Sequence, residues 1–251
     1  MNEYKSELSI AIETAKTAGD FLNGRSNLIV DSQNGKDIKM AADRHSESII
    51  MEKLAATGIP VLSEESVFSH NRDLKSYCWI VDPIDGTYNY YRGLEGFSCV
   101  SIALWKDKKP VLGVINRFER NEMYSGIVNG CAEMNGVQIK TSNITHIEQA
   151  VLATGFPAGG DYDAVSLSAF VKKIQSFKKV RMLGSAAIMG VFVASGLVDA
   201  YIEDGIMLWD VAAAAAIALA AGGEVQCQLI DGNKCKCGMF ASRELAEICN
   251  A

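Results

Sequence analysis

Apolar residues recur at helical spacing over residues 3–23, where Leu8, Ile12, Ala15 and Ala18 mark one face. Asp20 and Gly24 fall near the end of that run. A polar turn, Asp31–Lys36, leads to a second helix over Ala42–Ala56 with Ile49, Ile50, Met51 and Leu54 as its apolar face. The pattern then shortens to strand signals at Pro60–Leu62, Tyr77–Val81, Phe97–Trp105, Pro110–Arg117, Glu122–Ile127 and Cys131–Met134. Four of these follow one another across short turns, which predicts an antiparallel meander.

After about Thr141 the rhythm changes. Strands are expected at Ala150–Thr154, Lys179–Met182, Val198–Ile202 and Glu224–Cys227. Helices are expected at Tyr162–Phe177, Ser185–Ser195, Trp209–Ala221 and Arg243–Cys249. Alternation of strand and helix gives an α/β half, residues 144–251, packed on an α+β half, residues 1–143. No Pro/Ser-rich linker separates the halves, so the joint is expected to be tight and the site to lie in the crevice between them.

Composition narrows the functional classes. The chain has 251 residues, 49% of them hydrophobic, enough for a sizeable core. Lys and Arg number 24 against 30 acidic residues, a net charge of −6, and no basic block or basic-aromatic stripe occurs. This argues against a nucleic-acid polymer as partner, and a phosphate substrate would need metal ions to offset repulsion. The polar start, Met1 to Glu7, lacks the apolar stretch of a signal peptide, and Val211–Ala221 is too short to span a bilayer. The seven cysteines are therefore read as free thiols in a reducing cytoplasm. Cys227, Cys235 and Cys237 have poor spacing for zinc and no fourth ligand nearby, so they are assigned to a strand and turn.

The chemistry concentrates in Asp82-Pro83-Ile84-Asp85-Gly86-Thr87. Two carboxylates, a carbonyl and a hydroxyl crowd one turn, and hard divalent ions such as Mg2+ take oxygen ligands. Gly86 lets an anion approach the backbone. Further acids lie at Glu64-Glu65, at Asp210 beside an alanine-rich helix, and at Asp37 and Asp43. Singly, each has an ordinary reading as a solvated turn or a helix cap; together they point to metal-assisted attack on a phosphate.

At these residues the chain resembles the inositol monophosphatase family, within the lithium-sensitive, Mg2+-dependent phosphatase superfamily that includes fructose-1,6-bisphosphatase. The signature D-P-[IL]-D-G-[ST]-x-N is matched by Asp82–Asn89, and W-D-x-A-A by Trp209–Ala213. The Glu pair matches Glu64-Glu65, and D-x-x-x-x-x-D matches Asp37 to Asp43. Smaller echoes are Thr154–Pro157, Gly184–Ala187 and Asp199–Glu203. The resemblance implies a layered αβαβα sandwich of the sugar phosphatase type. It also implies metal ligation by Glu64, Asp82, the Ile84 carbonyl, Asp85 and Asp210, with Asp82 bridging two Mg2+ ions and a third, weaker ion near Glu64. Asp43 and Thr87 would activate the attacking water with Glu65 in support, and the Gly86 and Thr87 amides would receive phosphate oxygens.

Departures from the family pattern bear on specificity. Lys39-Met40 stands where Val-Thr is common, Ser63 replaces a glycine, Met207 takes a position where animal relatives carry histidine, and Tyr90-Tyr91-Arg92 replaces the usual Phe and its neighbours. Ser185, Ala186, Ala187 and Glu203 match positions that contact the polyol in the family, and Asp210 is expected among the substrate contacts as well. The small, apolar Gly184–Ala187 favours a compact polyol such as an inositol or sugar monophosphate over a 3'-phosphoadenosine 5'-phosphate. Fructose bisphosphate would need a grip on its second phosphate, for which Arg92 and Arg181 are available. His45, His70 and His146 are read as surface residues. A catalytically silent binding protein and a metal-dependent nuclease are the remaining classes; the complete set of acids argues against the first and the missing basic track against the second. A homodimer is expected by resemblance.

Overall fold

The computed structural model describes residues 3–24, 29–34, 37–66, 74, 76–156 and 163–250, with the backbone alone for 33, 34, 37 and 250. Asp37 is described in its backbone only, and His70, Pro157 and the expected start of a helix at Tyr162 lie outside the described residues.

Helix α1 (Lys5–Asn23) is followed by a two-stranded antiparallel hairpin, β1 (Val30–Asn34) and β2 (Asp37–Met40), and by α2 (Ala41–Ala55). The hairpin stands where the sequence pattern predicts a turn: β1 offers only the exposed Val30 as an apolar residue and β2 only Ile38 and the buried Met40, too few to mark a strand. A seven-stranded sheet then runs in chain order through β3 (Val61–Ser63), β4 (Cys78–Asp85), β5 (Cys99–Lys106), β6 (Lys109–Arg117), β7 (Glu122–Ile127), β8 (Ala132–Met134) and β9 (Val137–Ile139). Every neighbouring pair is antiparallel except β3 with β4. The short helix α3 (Thr87–Arg92) leaves the end of β4.

The later part contributes β10 (Val151–Ala153), α4 (Ala164–Gln175), β11 (Lys179–Arg181), α5 (Ala186–Ala194), β12 (Ala200–Met207), α6 (Leu208–Ala220), β13 (Glu224–Asp231), β14 (Lys234–Phe240) and α7 (Arg243–Asn250). Its sheet has the order β11-β10-β12-β14-β13, with parallel pairing around β10 and antiparallel pairing around β14. Strand β12 runs five residues past the expected Ile202 and feeds directly into α6.

Period-2 alternation sorts the strands' side chains into layers. Trp79, Val81, Ile102, Leu104 and Val114 pack under α1 and α2 with Ala15, Leu22, Ile50 and Leu54. Ile80, Ala103, Trp105 and Ile115 face the other way, onto α5 and α6. Those two helices meet the inner face of the second sheet at Tyr201, Cys237 and Met239. The outer face of that sheet, Leu152, Ala200, Ile202 and Phe240, is covered by α7 and the end of α4 through Leu245, Ala246 and Ile174. The result is the expected αβαβα layering, and α5 and, apart from Asp210, α6 are apolar all round because both their sides are covered.

Helix α6 lies close to the large sheet because its interior is alanine and its contact strand has a gap at Gly113. A Cβ built on Gly113 would stand 2.2 Å from the Ala213 carbonyl oxygen. Trp105 Nε1 donates to the Ala212 carbonyl at 3.2 Å and Ser101 Oγ to the Trp209 carbonyl at 3.3 Å, which fixes the helix on β5.

One expectation is corrected. Cys227 and Cys237, direct register partners on β13 and β14, are joined in a disulfide. The reading of all seven cysteines as free thiols is overturned at this pair, because antiparallel pairing of β13 with β14 brings the two Cys side chains to the same face of the sheet. Cys78, Cys99, Cys131, Cys235 and Cys249 form no disulfide.

Candidate active site

The Asp82–Thr87 segment sits where β4 ends. Asp82 pairs with Ser101 and Asp85 with Cys99, so Pro83 and Ile84 form a bulge against a single residue of β5. Pro83 has no amide proton to give a sheet ladder, which suits it to the bulge. Its carbonyl is held by Ser46 Oγ of α2 at 3.0 Å, and the Ile84 amide donates to Asp82 Oδ1 at 3.0 Å. Gly86 then adopts φ +82°, a left-handed turn into α3. A Cβ there would meet the Phe97 carbonyl oxygen at 2.5 Å, so both the turn and the packing require glycine.

Three other elements deliver acids to this turn. The end of β3 supplies Glu64 and Glu65, the start of α2 supplies Asp43, and the first turn of α6 supplies Asp210. Glu64, Asp82 and Asp210 each offer a carboxylate oxygen, all within 4.8 Å of one another. Asp85 is held differently. Its Oδ2 accepts the Ser185 hydroxyl and, at 2.8 Å, the Ala187 amide at the start of α5. Asp43 Oδ2 accepts the Met40 amide at 2.7 Å and Oδ1 lies 3.3 Å from the Thr87 hydroxyl, which stands 2.8 Å from the Ile84 carbonyl oxygen. Glu65 is paired with Lys39 Nζ at 2.9 Å.

The acids strain against one another. Burial, then repulsion from Glu65 and Asp43, pushes Glu64 up to about 8. Burial raises Asp43 to about 7, against the pull of the Met40 amide. Burial and neighbouring carboxylates raise Asp82 and Asp210 well above the ordinary range. Asp85 reaches only about 6 because the Ser185 hydroxyl and the amides of α5 stabilise its charge against burial. Hard oxygen donors with unbalanced negative charge fit a divalent cation of the Mg2+ type.

The profile of the inositol monophosphatase family matches residues 3–240. The chain belongs to the inositol monophosphatase family. It is 33% identical over 234 residues to an inositol-1-monophosphatase of Synechocystis sp., covering 89% of this chain and 79% of that one. It is 32% identical over 253 residues to the protein named Nus factor SuhB of Xylella fastidiosa, covering 91% and 90% respectively. The solved inositol monophosphatase of Anabaena superposes with a TM-score of 0.81 at 29% identity, over 98% of this chain and 94% of that one. The chain is accordingly a Mg2+-dependent phosphatase acting on small phosphorylated substrates. Among the described residues no helix is long and apolar enough to cross a membrane.

Within this family frame, Glu64, Asp82, Ile84, Asp85, Asp210, Asp43, Thr87 and Glu65 all gather around one turn, with Gly86 at its apex. Ser185 and Ala186 are buried at the start of α5, and the Ser185 hydroxyl is committed to Asp85. Glu203, on β12, is buried under Gly155, and burial together with Asp85 raises it to about 8. Arg92 and Arg181 are exposed, as are His45, stacked on Phe21, and His146.

Sequence reasoning gave no role to Asn89, Ser46 or Cys99. Asn89 Nδ2 donates to the Phe97 and Leu183 carbonyls, tying α3 to the loop before Gly184. It lies inside the motif, so a signal existed; Ser46 and the buried Cys99 thiol, 3.9 Å from Asp85, carried none.

A pH effect follows for the metal-free protein. These carboxyls titrate near 4 when unfolded and between about 6 and 8 when folded. Between those values the folded chain binds more protons than the unfolded chain, so stability falls as pH rises from about 4 to about 8. Chelator-treated protein is expected to melt lower at pH 8 than at pH 6, with excess Mg2+ closing the gap. A gap indifferent to Mg2+ refutes the assignment of these acids to a cation.

Proposed function

We propose that the chain hydrolyses inositol monophosphate or a similar cyclitol or sugar monophosphate by direct attack of water, without a phosphoenzyme. The observation that carries this reading is the convergence of Glu64, Asp82 and Asp210 beside the Asp43–Thr87 pair. Glu64, Asp82, Asp85, Asp210 and the Ile84 carbonyl would hold two to three Mg2+ ions. Bound Mg2+ supplies Lewis acidity, water activation and charge neutralisation at the phosphate and the leaving oxygen.

The chain's own groups do the rest. Thr87 accepts a proton from water as it passes its own to Asp43, whose Oδ1 lies 3.3 Å from the Thr87 hydroxyl. Glu65 supports that base by its position next to Glu64. The Gly86 and Thr87 amides receive phosphate oxygens where the turn opens the backbone. Ser185 holds Asp85 in place, and Ala186 shapes a small wall. Glu203 meets hydroxyls of the leaving polyol, and Asp210 faces both metal and leaving group. Phosphoryl transfer needs little beyond such positioning and charge balance. The crevice between the halves 1–143 and 144–251, a homodimer, inhibition by Li+ and a cytoplasmic setting belong to the same proposal; the homodimer and Li+ inhibition rest on the resemblance, and the crevice on the lack of a Pro/Ser-rich linker between the halves.

The test is phosphate release with Mg2+, with and without Li+, from inositol 1-phosphate, hexose and heptose phosphates, fructose 1,6-bisphosphate, 3'-phosphoadenosine 5'-phosphate and oligonucleotides. A polyol or sugar monophosphate is expected to be the best substrate. Preference for the nucleotide or fructose bisphosphate overturns the substrate reading, and no release from any of them overturns the enzyme reading.

A further inference from the structure

Lys39 is out of place for a polar hairpin residue. Strand β2 alternates, so the buried Met40 side chain goes into the core while the Lys39 side chain goes the other way. That direction carries its ammonium 26 positions along the chain, to Glu65, at 2.9 Å. The pair is asymmetric. The Glu65 side chain is 8% exposed and the Lys39 side chain 43% exposed, so a buried carboxylate is met by an ammonium entering from solvent. Resting on the proposed metal reading, we propose that Lys39 is a resident cation of the site, closing Glu65 to divalent ions and confining these to the Asp82 side.

The charge balance supports this role. Glu65 adjoins Glu64 and faces Asp43, and its negative charge acts unfavourably on both. Lys39 opposes it at both, and Glu64, Glu65 and Asp43 all act on Lys39 in turn. Three clustered carboxylates without an ammonium are the donor set that attracts a hard cation. An ammonium fixed on a strand supplies the positive charge without exchange with solvent, and it cannot share its position with a divalent ion. It is also a point charge with no vacant coordination position, so it balances charge without polarising water. An ordinary exposed ion pair contributes little; this one is distinguished by its buried acid and by the acids around it. Lys39 is thus a positioning residue: it acts on metal loading through Glu65 and touches no reacting atom.

Counting bound ions tests the inference. Mn2+ is titrated into chelator-treated protein at fixed pH, and free Mn2+ is read by electron paramagnetic resonance. Lys39→Met is expected to bind one ion per chain more than wild type, and Lys39→Arg the same number as wild type. Lys39→Met combined with Glu65→Gln is expected to return to the wild-type count, because the extra ion needs the released carboxylate. Lys39→Gln serves as a second neutral variant should Lys39→Met melt abnormally, and the same gain of one ion is expected. An unchanged count in the neutral variants, with wild type binding Mn2+, overturns the role of Lys39 alone. Failure of wild type to bind Mn2+ overturns the metal reading and this inference with it.

Discussion

Asp82→Asn is expected to lower turnover in Mg2+ by at least about 10³-fold while raising the melting temperature of the metal-free protein. The two effects have one cause. Asp82 is 2% exposed and surrounded by the charges of Glu64, Asp85, Asp210 and Asp43, all of which push its proton affinity up. Its structural duty is small: Oδ1 accepts the Ile84 amide at 3.0 Å, and an Asn oxygen accepts the same bond. The substitution therefore keeps the bulge and its packing. It removes one of the buried charges that the folded state tolerates poorly without a cation. It also removes the central acid of the group that would share its oxygens with metal. The paired measurement is kcat in saturating Mg2+ and thermal melting in chelator. Turnover like that of wild type refutes the metal assignment. A large loss of stability in chelator would show that Asp82 is a structural acid.

Gly113→Ala is expected to destabilise the protein by about 3 kcal/mol, a fall in melting temperature of roughly 6–12 °C, and to depress activity as well. The added methyl meets the Ala213 carbonyl oxygen at 2.2 Å, its carbon at 2.8 Å and its Cα at 2.9 Å. All three are backbone atoms in the middle of α6, so no side chain can rotate away. The helix must shift, and with it Asp210 in its first turn, the acid that joins Glu64 and Asp82. Thermal melting and Mg2+-dependent turnover measured on the same preparation check both effects. A variant that melts within a degree of wild type shows that α6 does not rest on β6 as described.

The difference between these predictions reflects what was legible in the chain. Asp82 announces itself in a dense local motif, whereas Gly113 is an unremarked small residue in an apolar strand. Its requirement arises from a helix that begins almost a hundred positions later. The same division runs through the site. Glu64, Asp85 and Asp210 were readable as acids beside strand or helix ends, but that Asp85 is held by Ser185 and Ala187 depends on where α5 begins in space. Glu203 is named from the likeness of a short segment; its burial under Gly155 comes from the loop after β10 lying over β12. Residues whose role is to hold others, such as Ser46 on the Pro83 carbonyl, have no pattern to display, because one hydroxyl and one carbonyl far apart in sequence form no period.

By itself, then, the sequence determined the elements marked by dense apolar runs, β4 to β7 and the largely apolar helices α5 and α6, together with the acids of the Asp82–Thr87 turn. These are local properties: the burial of a face and the chemistry of one turn are written in consecutive residues. Tertiary structure decided the polar hairpin β1–β2, the Cys227–Cys237 bond and the reach of Lys39 to Glu65. Each depends on which strands become neighbours and which faces they share. That choice is made by packing two sheets around α5 and α6, so it is a property of the whole chain.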